Sequence, residues 1–275
     1  LGLCLYVLLK GKTLFSAKYW RFCIPLAIPY VFYNLADLLL GHSDVVMLRQ
    51  LSGDTVSGIY SMAFQFGTIL FTIFGALNNT WVPFFFEDTK QGRQDAVMNQ
   101  SKNFLEVYTV LSAGFMLLGT EVYHLFAGQD FWDSTKLIPV FVASHYLNFL
   151  CTFPINYEYY HKKVRVVAVA TISSSLVNIA LNYVFIRAYG MPGAALATVV
   201  SHTLQFAMHY LYTRYLLGKG SYPFGISLWG RNALCFVCIM LLVYLLPDAW
   251  LVRWALGAAI GLWELLRIRK RKVLI

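Results

Sequence analysis

Apolar runs of membrane-crossing length, separated by short clusters rich in lysine and arginine, repeat along this chain from residue 22 onwards. A helix needs about 20 mostly apolar residues to cross a hydrocarbon core, because lipid offers no partner to an unpaired backbone amide. Eight segments meet that length, at roughly 22–48, 56–85, 104–127, 136–159, 166–187, 193–216, 230–246 and 249–266. The pattern therefore predicts an all-α, polytopic membrane helix bundle. A further apolar segment, Leu1–Leu9, is too short to cross, and Lys10, Lys12 and Lys18 follow it, the reverse of a signal peptide. It reads as the end of a helix cut from a longer chain, with residues 1–21 forming that end and a cytoplasmic loop.

Within the apolar runs, polar residues recur at helical spacing. Asn34, Asp37, Gly41 and Asp44 share one face of the first span, and Ser61, Gln65, Thr68, Thr72, Gly75 and Asn79 share one face of the second. His145, Asn148, Thr152 and Asn156 mark the fourth span; Thr171, Ser174, Asn178 and Asn182 the fifth; Thr198, His202, Gln205 and His209 the sixth. Lipid cannot satisfy these groups, so each stripe must face a neighbouring helix or water. Five stripes together predict a hydrated cavity, with Asn34, Asp37, Asp44, Gln65, Thr68, Asn79, Asn148 and Asn156 as its candidate lining. The last two spans carry no comparable stripe and are expected at the periphery, against lipid.

An acid at the membrane centre costs about 2.5 to 3.5 kcal/mol on insertion scales. Asp37 lies about 22 Å into a core about 30 Å thick and is the acid best placed for a functional role. Asp44, Glu121, Glu158 and Glu264 fall nearer an interface, where solvation is cheap. Each of His145, His202 and His209 reads first as a hydrogen-bonded packing residue. Pro25, Pro29, Pro83 and Pro154 free backbone carbonyls and mark bends that serve equally as static kinks or flexing points.

Composition agrees with the pattern: 59% of the 275 residues are hydrophobic and 13% charged, against about 25% charged in soluble domains. The formal net charge of +9 would admit a nucleic-acid partner, but its placement argues for a membrane. When loops are assigned alternately to two sides, all but Arg49, Lys136, Arg187 and Arg253 of the 22 basic residues collect on one side. That side is expected to be cytoplasmic, and an even number of spans places both ends of the segment there. The Cys235 and Cys238 pair has no second pair or nearby histidine, so packing is expected and no metal, catalytic or cofactor site.

Two stretches carry a family resemblance. GIYSMAFQFGTILFTIFGALNNTWVPFFFE, residues 58–87, resembles the eighth membrane helix of flippases of the multidrug/oligosaccharidyl-lipid/polysaccharide superfamily, with Pro83 in its closing W-x-P motif. Asn178, Asn182, Gly190, Gly193, Ala194, Ala195, Ala197 and Thr198 resemble the family's eleventh and twelfth helices. GHSDVVMLRQLSG is similar to the exit of the seventh helix, with Val45 where the family commonly has Arg after the Asp. The resemblance implies a carboxy-terminal six-helix lobe at 22–217, followed by two peripheral helices and a basic tail at 218–275. It further implies a missing amino-terminal lobe of the same protein.

On this reading the protein moves a polyprenyl-diphosphate-linked oligosaccharide, or a similar glycolipid, across the cytoplasmic membrane. The energy source is expected to be a coupling ion, H+ or Na+, since no nucleotide-binding loop is present. Partners are then the glycolipid and membrane lipids, with no nucleic acid. Asn178 and Asn182, one helical turn apart, are expected to bond across to a neighbouring helix, and the Gly190–Gly193 corner to let the next helix approach closely. Two competing readings are a cation-coupled multidrug exporter of the same superfamily and a membrane-embedded transferase. The latter is disfavoured by the lack of a clustered acid and nucleophile.

Overall fold

A computed structural model of the chain describes Tyr6, Lys10, Gly11, residues 16–217 and residues 224–271. The Leu1–Leu9 helix end, apart from Tyr6, lies outside the described residues, as do Cys4, Lys12, Lys219 and Lys272. The described chain forms helices α1 (Ala17–Ser52), α2 (Asp54–Lys90), α3 (Gln94–Phe126), α4 (Ile138–Tyr160), α5 (Val164–Tyr189), α6 (Met191–Leu211), α7 (Ile226–Leu245) and α8 (Trp250–Arg271). A 3-10 segment, Gln129–Leu137, joins α3 to α4, and a wide π-type turn, Tyr212–Leu217, extends α6.

Every expected span has its helix, but several helices run past the apolar segment that announced them. The polar stretch expected between the first two spans shrinks to a one-residue corner at Gly53, whose φ of +92° only glycine takes without strain. There Ser57 Oγ donates to the Val45 carbonyl across 3.0 Å, tying the first turn of α2 back onto α1. Helix α3 starts ten residues before its apolar run, because Val97 and Ser101 already pack inside the bundle.

The most enclosed helix is α4. Within the apolar windows, 83% of the α4 segment is buried against 11% of α1, so α4 is the axis and α1 an outer stave. Around α4 the sequence supplies interlocking aromatic rings. Trp81 of α2 stacks on Phe104 of α3 at 5.2 Å, Tyr108 of α3 on Phe149 of α4 at 4.1 Å, and Tyr146 of α4 on Phe236 of α7 at 4.2 Å. Lipid tails are as apolar as these rings, so the contacts hold the bundle by shape and dispersion rather than by escape from water.

Among the described residues, six helical segments are long and apolar enough to cross a membrane by themselves, two fewer than the eight expected from the sequence. The exceptions are α6 and α8, and packing explains both. Helix α6 returns along α5, touching it through Asn178 and Thr198 near one end and through Thr171 and Gln205 further along. Helix α8 runs antiparallel to α3, joined by ion pairs between Arg253 and Glu121 at one end and between Arg267 and Glu106 at the other. Each follows its neighbour through the same depth with its polar side chains paired internally, which lowers the hydropathy such a helix needs.

The expectation that α7 and α8 lack a polar face is corrected by these pairs. Arg253 is 1% exposed, its guanidinium donating to Glu121 and to the Pro247 carbonyl, while Trp254 Nε1 donates to the other Glu121 oxygen at 3.1 Å. Glu264 is likewise enclosed and paired with Arg267 rather than solvated at an interface. The two helices do flank the bundle, and Leu251, Leu262 and Trp263 are exposed.

The α5–α6 corner gives a direct test. A Cβ on Gly193 would overlap the Phe185 carbonyl oxygen, whereas one on Gly190 would meet open space but at φ +63°. Gly193→Ala should destabilise the chain by on the order of 3 kcal/mol, and Gly190→Ala by about 1 to 2 kcal/mol. Thermal unfolding in detergent reads both; equal losses would refute the close approach at Gly193.

Candidate functional site

Two of the five polar stripes are not part of any open space. The α5 and α6 stripes face each other and form a closed seam along the pair, correcting the expectation of one cavity lined by all five. At one end, Asn178 Oδ1 accepts hydrogen bonds from Ser43 Oγ of α1 at 2.6 Å and from Asn182 Nδ2 at 2.9 Å. Asn178 Nδ2 reaches Thr198 Oγ1 at 3.5 Å. All four side chains are buried, and among the described residues Asn182 Oδ1 accepts no hydrogen bond. Further along, Gln205 Nε2 donates to Thr171 Oγ1 at 3.1 Å, and Gln205 Oε1 meets His202 Nδ1 at 3.2 Å.

The seam ends in a buried ionisable pair: helical periodicity placed His209 on the α6 stripe but did not indicate its partner, Glu158. His209 Nδ1 of α6 lies 2.9 and 3.1 Å from the two carboxylate oxygens of Glu158 on α4, and both side chains are fully enclosed. Glu158 had been expected at a cheaply solvated interface. The structure instead places it under the Lys162–Lys163 turn, facing inward. Sequence offered one signal for this: a carboxylate one turn before the basic loop on the helix that proves most enclosed.

The other three stripes converge. Helix α1 packs mainly along α5, while α2 packs on α3 and α4, so α1 and α2 meet near their Gly53 corner and part towards the opposite, basic end. Near the corner, Tyr60 Oη donates to Asp44 Oδ2, and the His42 and Phe64 rings lie 5.8 Å apart. Towards the basic end the two helices flank a cleft of about 540 Å3, with Cys23, Leu26, Tyr30, Val82, Phe86 and Asn156 among its lining residues. Tyr159 of α4 closes its base against Tyr30 and Tyr33, with ring centroids 6.5 Å apart in each pair.

Helical register connects these lining residues to the polar rows. Steps of three or four residues lead from Tyr30 to Asn34 and Asp37 on α1, from Val82 to Asn79, Thr72, Thr68 and Gln65 on α2, and from Asn156 to Thr152 and Asn148 on α4. Asp37 is half-buried and within electrostatic reach of Tyr33, Cys151 and Tyr159. Asn156 is 7% exposed and Asn148 half-buried. Asn34, Gln65 and Asn79 are exposed, with Asn34 Nδ2 donating to the Tyr30 carbonyl at 2.7 Å and Thr68 Oγ1 to the Gln65 carbonyl at 2.6 Å.

Asp44 alone among the candidate lining residues is fully closed off. It accepts from Tyr60 and from the Val45 backbone N–H at 2.8 Å, an arrangement that fastens the corner and leaves no face for a ligand. Pro83 is exposed on α2, beside buried Trp81. The cleft itself is apolar and aromatic, with Asn156 as the amide among its lining residues.

Residues 1–88 match the family described as polysaccharide biosynthesis protein. The match covers α1 and nearly all of α2, the two walls of the cleft. A relative from Haemophilus influenzae, described as an uncharacterized membrane protein, is 24% identical over 180 residues, covering 62% of this chain and 44% of the relative. The chain thus spans less than half the length of that relative. No solved structure matches. Together with the helices, these findings identify a multi-pass membrane protein.

The Glu158–His209 contact makes a measurable statement about stability. His209→Leu strands a buried carboxyl group and should cost about 3 to 5 kcal/mol. Glu158→Gln keeps an acceptor for the imidazole and should cost about 1 kcal/mol. The double variant Glu158→Leu/His209→Leu should cost less than the two single leucine variants combined. Thermal melts in detergent distinguish this from simple additivity, which would mean that the pair contributes no coupling.

Proposed function

We propose that this chain supplies the carboxy-terminal lobe of a flippase that carries a polyprenyl-diphosphate-linked oligosaccharide, or a similar glycolipid, across the cytoplasmic membrane. The observation behind this reading is the cleft between α1 and α2, whose walls are the helices matched by the polysaccharide biosynthesis family. A hydrated, anionic head group needs a polar route through the bilayer, while its prenyl tail remains in lipid. Asn156 lines the cleft, the rows through Asn34, Asp37, Gln65, Asn79 and Asn148 would continue the route by helical register, and the apolar mouth at Leu26, Val82 and Phe86 suits the tail. The opposite wall would come from a preceding lobe. The basic end is read as cytoplasmic, which puts Lys18, Arg21 and Lys162 beside the entrance to meet phosphate.

Transport of this kind calls for a coupling ion rather than a catalytic group. Glu158 and His209 support a proton, since adding or removing one changes the charge of a pair that has no contact with water. Sodium is the alternative, with the neutral oxygens of Ser43, Asn178, Asn182 and Thr198 as the place to meet it. A multidrug exporter of the same superfamily is the second reading, favoured by the apolar mouth of the cleft.

Cells that depend on the full-length protein for surface polysaccharide provide the test. Asp37→Asn and Asn156→Leu should each lower glycan export by about tenfold, equivalent to about 1.4 kcal/mol on the rate-limiting step. Lipid-linked glycan should accumulate at the same time, with protein levels unchanged. Normal export in both variants would remove the cleft from the mechanism, and raised drug sensitivity with normal export would favour the exporter.

A further inference from the structure

A second polar cavity lies on the far side of the bundle from the cleft. It holds about 490 Å3 between the basic ends of α3 and α7, lined by Met98, Asn99, Lys102 and Glu106 on one wall and Gly225, Leu228, Arg231 and Asn232 on the other. Its single carboxylate, Glu106, is already engaged by Arg231 and by Arg267 of α8. Lys102 has no ion-pair partner among the described residues, and the Arg231 side chain is 72% exposed although it touches Glu106. The cavity therefore presents cationic and amide donors whose acceptors are only partly supplied by the protein.

What lies beyond the cavity on α7 indicates the kind of molecule that would supply the rest. Continuing from Arg231 in helical steps towards the other end of α7, the row reads Leu234, Cys235, Cys238, Leu241 and Leu245, all exposed. Polar groups occupy the first turns and an uninterrupted apolar strip follows. Basic pockets between the ends of membrane helices hold anionic head groups through the same division.

We propose that this cavity binds the phosphate of an anionic phospholipid, with Lys102, Arg231, Asn99 and Asn232 around the head group and the acyl chains along the exposed strip of α7. The site is separate from the cleft and does not rest on the transport reading. It would fasten α7 and α8 against α3 where Glu106 already joins Arg231 and Arg267.

The test uses the intact chain in neutral detergent, titrated with phosphatidylglycerol, with phosphatidylcholine of the same acyl chains, or with inorganic phosphate. Native mass spectrometry and thermal unfolding report binding. Phosphatidylglycerol should be retained and raise the melting temperature, and phosphatidylcholine should do neither. Lys102→Gln should weaken phosphatidylglycerol binding about fivefold, the effect expected for one basic residue at a lipid surface. Lys102→Arg should retain binding. Lys102 is exposed, so these variants leave folding intact, while Arg231→Gln serves as a second variant checked by circular dichroism. Equal binding of the two lipids, or phosphatidylglycerol binding that ignores the Lys102 charge, would overturn the site. Stabilisation by inorganic phosphate equal to that by phosphatidylglycerol would overturn its assignment to a lipid.

Discussion

One amide oxygen organises much of this bundle. Asn178 Oδ1 draws Ser43 of α1 and Asn182 of its own helix to itself, while the amide nitrogen of Asn178 reaches towards Thr198 of α6. In hydrocarbon an unpaired amide has no alternative partner, so the cluster commits α1 to α5 along most of its length. Helix α2 is committed elsewhere, to the aromatic rings of α3 and α4. Two helices joined by one glycine but held by different neighbours have to diverge. The cleft between them is the geometric consequence.

The same rule explains why the bundle tolerates groups that look misplaced in the sequence. Arg253 with Glu121, Arg267 with Glu106 and Glu264, and Glu158 with His209 all lie at helix contacts. An ion pair of this type adds little net stability, because desolvation offsets most of the attraction. Its effect is on specificity: any other placement of α8 against α3 would leave charges unpartnered at both ends. This is how a helix of modest hydropathy is fixed alongside an apolar one.

The functional picture follows from how these contacts divide the polar residues. Amides and hydroxyls on α5 and α6 are consumed in structure together with Ser43 of α1, whereas the amides Asn34 of α1 and Gln65 and Asn79 of α2 stay exposed. The cleft between α1 and α2 is lined mainly by apolar and aromatic side chains, with Asn156 as its amide. The buried Glu158–His209 pair lies behind that lining, on the helix that contributes Asn156.

The positions of the helices and the basic asymmetry were both readable from the chain, because each depends on local spacing or composition. Period identified Asn34 with Asp37, and Asn178 with Asn182, as sharing a face. It could not say that Asn34 stays exposed while the second face closes on Ser43, since that depends on which helix arrives opposite. Asp44 shows the limit most clearly: it shares the stripe of Asp37, yet Tyr60, sixteen positions along the chain, encloses it. Glu121 and Arg253 lie still further apart, and neither local spacing nor hydropathy pairs them. Sequence alone determined that this protein crosses a membrane as a bundle of helices carrying polar stripes. Tertiary structure decided which stripes are sealed and which remain open, because a polar group in lipid is satisfied only by what packs against it.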